Sequence, residues 1–130
     1  MTPEAEAQYK AADAYSQAGN HIDALKPLKQ AVEIDPTDPR YWIGLGVSLL
    51  KLHHWEEAVR ALIRGIELKP HYAEADARMF LADAFAELGD IKSAEKQWQI
   101  VVSMTPTYPS HEAPMKDARR LLEKHAKATR

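Results

Sequence analysis

The sequence predicts an all-α chain of three tandem helical hairpins stacked as a solenoid and closed by one further helix. Three observations predict it. Segments 30–36 (QAVEIDP), 64–70 (RGIELKP) and 100–106 (IVVSMTP) end alike. Twelve residues before each closing proline stands an alanine (Ala24, Ala58, Ala94), and eight before it a bulky apolar residue (Leu28, Leu62, Trp98). The prolines themselves lie 34 and then 36 residues apart, a period at which short helical hairpins repeat. Such a hairpin cannot hide its apolar side alone, so neighbours must complete one interior.

Each element follows from local chemistry. In the first hairpin, residues 5–38, Ala12 and Ala24 are small where two helices must approach, and Gly19 supplies the turn. Pro27 falls inside its second helix, removes one backbone hydrogen bond and is expected to bend it. The second hairpin, 39–72, opens on Asp38-Pro39, an N-cap followed by proline at the first helical position. On a helix at 100° per residue, Trp42, Leu45, Gly46 and Leu49 share the stripe that must meet the partner helix. His53 stands at the turn where glycine is preferred, so it must accept a left-handed backbone. The third hairpin, 75–108, turns at Gly89; two extra residues near Tyr72–Glu74 lengthen its loop or its first helix. Val101 replaces a small residue there and should loosen or shift the packing. Each closing proline ends its helix. From 111 to 130 Met115, Ala118, Leu121, Leu122 and Ala126 recur at helical spacing, marking an amphipathic helix that covers the open end.

Taken together, these residues resemble the tetratricopeptide repeat (TPR) family. The middle unit is closest: Trp42, Leu45, Gly46, Ala58 and Pro70 occupy the family's W-x2-L-G, A and P positions. Ala11, Ala12, Tyr15, Ala24, Ala31 and Pro36 match in the first unit, and Leu81, Ala82, Phe85, Ala94 and Pro106 in the third. The resemblance implies a right-handed α-solenoid of three helix-turn-helix repeats with a C-terminal capping helix, one domain over 1–130. Its size, the run Asp38–Gly46 and the tail helix also look somewhat like type III secretion chaperones, which shield hydrophobic translocator segments.

Composition narrows the function. The 130 residues are 45% hydrophobic and 28% charged, with a net charge of -2 that argues against a general nucleic-acid binder. That charge is uneven: residues from Lys116 onward carry +4 and the rest -6. The basic tail is either a solvated helix face suited to its dipole or a docking site for an acidic surface. No run is long and apolar enough for a membrane span, and the first residues show no basic or apolar leader. Absence of cysteine removes disulfides and thiolate metal sites, which fits a cytoplasmic protein.

Catalytic chemistry finds no motif. His53-His54-Trp55-Glu56-Glu57 gathers imidazoles and carboxylates, but adjacent residues diverge, and a solvated turn explains them. His111-Glu112 begins the zinc pattern H-E-x-x-H, yet Met115 stands at its last position. Neither a phosphate loop nor a nucleophile elbow is present. A non-catalytic module without metal or cofactor is therefore expected.

By the repeat register, the first helix of each unit turns one side to a ligand groove. Tyr9 and Asp13 from the first unit, with Arg40, Ile43, Val47, Leu50 and Lys51 from the second and Met79 and Asp83 from the third, form the expected peptide-binding set. Ile43, Val47 and Leu50 make a second apolar stripe on a helix whose first is already used, so they are either buried between neighbours or offered to a partner. The resemblance further argues against binding Hsp70 or Hsp90 acidic tails, since the positions of that clamp hold Tyr9, Asp13, Gly44, Asp76 and Phe80. A different expectation is self-association as a scaffold, through the end helix or convex faces; their cations favour a monomer or weak homo-oligomer.

Overall fold

The computed structural model describes residues 2–70, 73–104 and 111–128. All regular structure among them is helical: α1 Pro3–Gln17, α2 His21–Ile34, α3 Pro39–Lys51, α4 Trp55–Glu67, α5 Glu74–Glu87, α6 Ile91–Ser103 and α7 Glu112–Ala128. The fold class is the one expected. No described helix is long and apolar enough to cross a membrane. The chain divides into two compact units, Met1–Pro70 and His71–Arg130. Pro106 and the insertion at Tyr72 lie outside the described residues.

The three turns between paired helices are built alike. After α1, Gly19 adopts φ +78°; its N–H donates to the Ser16 carbonyl at 3.0 Å, and the Asn20 N–H donates to Tyr15 at 2.8 Å. This is the Schellman pattern, which satisfies carbonyls left open at a helix end. After α5, Gly89 (φ +82°) donates to Ala86 and Asp90 to Phe85. His53 repeats the pattern at φ +66°, with bonds to Leu50 and from His54 to Leu49. The expected left-handed backbone is therefore present, and the His53 ring stacks on that of Trp55, the first residue of α4, at 4.7 Å. Asn20 and Asp90 cap α2 and α6 by accepting from Asp23 N–H and Ser93 N–H, whereas His54 gives α4 no side-chain cap. Lys69, at φ +56° before Pro70, is a second left-handed residue that sequence reading did not anticipate.

Unit one packs α1 on α2, α3 on α2, and α3 on α4. Its interior is Ala5, Ala12, Ala24, Leu28, Ala31, Tyr41, Leu45, Leu49, Ala58 and Leu62. Close approach depends on glycine: a Cβ on Gly46 would lie 2.6 Å from Leu62 Cγ, and one on Gly65 would lie 2.7 Å from Ile43 Cγ1. Asp38 caps α3 by accepting the Arg40 N–H at 3.0 Å, and the Trp42 indole donates to the Pro36 carbonyl at 2.9 Å. Helix α2 runs through Pro27, which is buried in it. Tyr15 and Ala11 are exposed, Tyr15 by 43%, as is Ile22 beside the same turn by 70%.

Unit two packs α5 on α6 and α7 on both. Ala75, Ala82, Ala94, Trp98, Val101, Met115 and Ala118 form its buried cluster, with Met79, Phe85, Leu121 and Leu122 against it. Thus α7 covers α6 as a terminal helix should. Val101 is 0% exposed and part of this cluster. Ala24, Ala58 and Ala94, each the fourth residue of its helix, are all 0% exposed, the repeat's small-residue contact made three times.

Candidate ligand-facing side of α1 and α3

Residues one repeat period apart stand side by side on α1 and α3. Glu6 and Arg40, 34 apart, make a two-point ion pair: Nη1 donates to Oε1 at 3.1 Å and Nη2 to Oε2 at 2.7 Å. Paired N–H donors facing two carboxylate oxygens are among the stronger arrangements of these groups. Asp38 takes a second share of the guanidinium, accepting Nε at 3.1 Å and Nη2 at 2.8 Å. Below it, the Tyr41 hydroxyl donates to Glu6 Oε2 at 2.8 Å. The Arg40 guanidinium lies 5.0 Å from the Tyr9 ring centroid and 5.4 Å from that of Tyr41, and the two rings stand 5.3 Å apart. A cation over ring faces at this range is attracted by their electron density.

Electrostatics follow from those contacts. Bonds from Arg40 and then Tyr41 hold the Glu6 carboxyl below its usual range. The same bonds push the Arg40 guanidinium up, Asp38 contributing first and Glu6 second. Burial first, and the Glu6 hydrogen bond second, push the Tyr41 phenol up. Burial does the same to Tyr9. Across the neutral range Arg40 therefore stays charged, Glu6 stays ionised and both phenols stay neutral.

The remaining expected residues fall into three groups. Val47 is half-buried on α3, Asp13 is exposed and accepts from Gln17 Nε2 at 2.8 Å, and Lys51 is exposed at the helix end. Ile43 is half-buried, and its Cγ1 lies against Gly65 of α4. Leu50 is only 6% exposed. Of the two fates open to that stripe, burial is the one Leu50 takes. In unit two, Met79 is half-buried against the apolar cluster and Asp83 is exposed. Among the described residues no group of His, Asp or Glu is arranged to hold a metal ion.

Sequence reasoning named Tyr9 and Arg40 but neither their union with Glu6 nor Tyr41, which is 0% exposed. The signal was available: opposite charges at one repeat position in consecutive units must meet if equivalent helices lie side by side.

The comparisons with known proteins agree with this architecture. Residues 43–109 match the family model described as tetratricopeptide repeat, and residues 1–65 match that of anaphase-promoting complex, cyclosome, subunit 3. A Dictyostelium discoideum STIP1 homolog is 31% identical over 76% of this chain, and the Kluyveromyces lactis peroxisomal targeting signal receptor is 32% identical over 70%. The chain spans less than a fifth of the length of these relatives, 17% and 15%. Among solved structures, PcrH in complex with the chaperone binding region of PopD is 26% identical, with a TM-score of 0.87 over 96% of this chain and 92% of that one. The Yersinia enterocolitica chaperone SycD, in complex with a peptide of the translocator YopD, has a TM-score of 0.89 over 100% of this chain and 98% of that one; at 18% identity it shows the fold alone. With residues 43–109, just over half of the sequence, matched by the tetratricopeptide repeat model and the turn and alanine contacts recurring at the repeat period, this chain belongs to the tetratricopeptide repeat family.

Proposed function

We propose that this chain is a non-catalytic protein-interaction module that holds a peptide or protein segment against the ligand-facing side of α1 and α3. Val47 and the exposed parts of Tyr9 and Ile43 supply apolar contact, with Asp13, Arg40 and Lys51 as a polar rim. The corresponding side of α5 carries Met79 and Asp83. The similarity to PcrH carries this reading, because that structure holds a polypeptide segment on the same fold at 26% identity. It also favours a narrower role, chaperoning a hydrophobic client in the manner of a type III secretion chaperone.

The test uses a fluorescently labelled peptide from the chaperone binding region of PopD, followed by anisotropy. Val47→Glu places a charge where apolar contact is proposed, and affinity is expected to fall at least about tenfold, with circular dichroism unchanged. Undiminished affinity rules out this face. No binding by the wild-type chain removes the client-chaperone role.

A further inference from the structure

Arg40 is exposed by 45% at its side chain yet has little left to offer: four hydrogen bonds from Nε, Nη1 and Nη2 already go to Glu6 and Asp38. A planar guanidinium over two aromatic rings is well suited to grip a carboxylate at two points. Here the grip is filled by the protein's own first helix. We propose that Glu6 is a built-in competitor for Arg40, so that this end of the α1/α3 face refuses acidic segments and admits apolar or cationic side chains. The inference rests on the reading that a segment docks on this face, and it names the chemistry of what is accepted there.

Magnitudes favour self-occupation. Glu6 and Arg40 sit on packed helices, so the carboxylate is presented at an effective concentration of millimolar or more, against micromolar for a free peptide. For equal intrinsic contacts, the internal carboxylate wins by about a thousandfold. Asp38 adds a second negative charge, and Tyr41, 0% exposed, fixes Glu6 from beneath through its hydroxyl. Glu6 and Asp38 thus set two carboxylates about the one guanidinium, which leaves it little to offer a third.

The experiment uses the full chain and the labelled peptide SRMEEVD, which a TPR of Spaghetti (RPAP3) binds in a solved structure. Wild type is expected to bind it weakly. Glu6→Gln keeps an acceptor for Tyr41 but removes the charge, and should tighten binding about tenfold or more. Glu6→Gln combined with Arg40→Gln should return it to the wild-type value. No tightening in the single variant, or tightening that survives in the double variant, overturns the proposal. A second measurement needs no variant: a charge-reversed SRMKKVK peptide should bind wild type more tightly than SRMEEVD, and the opposite order overturns the proposal as well. Measuring the PopD-region peptide on Val47→Glu in the same series keeps the two ideas apart. Failure there removes the docking face, whereas the Glu6 and Arg40 variants report on the internal competitor alone.

Discussion

Gly46→Ala adds one carbon at the closest point between α3 and α4. The new Cβ would stand 2.6 Å from Leu62 Cγ, 2.8 Å from its Cδ2 and 3.2 Å from its backbone nitrogen. Carbon atoms in contact prefer about 3.5–4.0 Å, so the shortfall is about 1 Å. Cγ is the branch point of Leu62 and its backbone nitrogen belongs to α4, so rotating a side-chain tip cannot relieve it. The helices must separate, and Leu45, Leu49, Ala58 and Leu62, all buried, lose contact. Overpacking of this kind costs about 1–3 kcal/mol, offset by about 1 kcal/mol from replacing glycine inside a helix. We expect a net loss of up to about 2 kcal/mol. Gly44, on the same helix, is the internal control: its Cβ would meet only the Leu28 Cδ2 methyl at 3.1 Å and a Tyr9 ring carbon at 3.6 Å. A methyl end can yield a few tenths of an ångström, so Gly44→Ala should be neutral or stabilising by up to about 1 kcal/mol. Urea titration followed by circular dichroism should separate the two variants by about 1 M in midpoint, given a slope of about 1–3 kcal/mol/M. Equal midpoints would refute the claim that glycine sets the α3–α4 distance.

Two further outcomes follow from buried and charged groups. Trp98 is 1% exposed, stacks on His125 at 5.1 Å, and its indole nitrogen has no hydrogen-bond partner. Trp98→Ala should therefore cost about 3–5 kcal/mol, whereas Trp98→Phe, losing volume but no hydrogen bond, should cost about 1–1.5 kcal/mol; similar losses in denaturant titration would contradict the assignment. Acid titration reads Glu6, whose folded pKa lies below its ordinary value of 4.5. Below about pH 5 the unfolded chain binds this proton first, so stability falls with pH until the folded carboxyl is also protonated. Glu6→Gln should flatten that part of the profile, and an unchanged acid slope would show that Arg40 does not hold it.

Much of the fold was legible because repetition multiplies weak local signals. Gly19 and Gly89 announce the turn, and the two structures there are alike. His53 could be placed at the same turn only by counting 34 residues from Gly19, since its own chemistry argues for a different conformation. Ala24, Ala58 and Ala94 marked the close contacts, and Gly46 marked the tightest. Val101 was harder to place, since the cluster that buries it includes Met115 and Ala118 of α7, outside its own hairpin.

The amino-acid order alone determined the hairpin period, the helix ends and the small-residue contacts, because each depends on neighbours within one or two turns or on a spacing that can be counted. Tertiary structure decided which apolar side chains are spent. Ile43 and Leu50 share a helical stripe with Val47, yet one leans on Gly65 and another is interior, a division set by the distance between helices rather than by residue type. It also decided that Arg40, written in the sequence as a free cation of a ligand-facing helix, is already held by Glu6, Asp38 and two tyrosine rings. Charge can be read residue by residue, but its availability depends on what the fold places within about 3 Å.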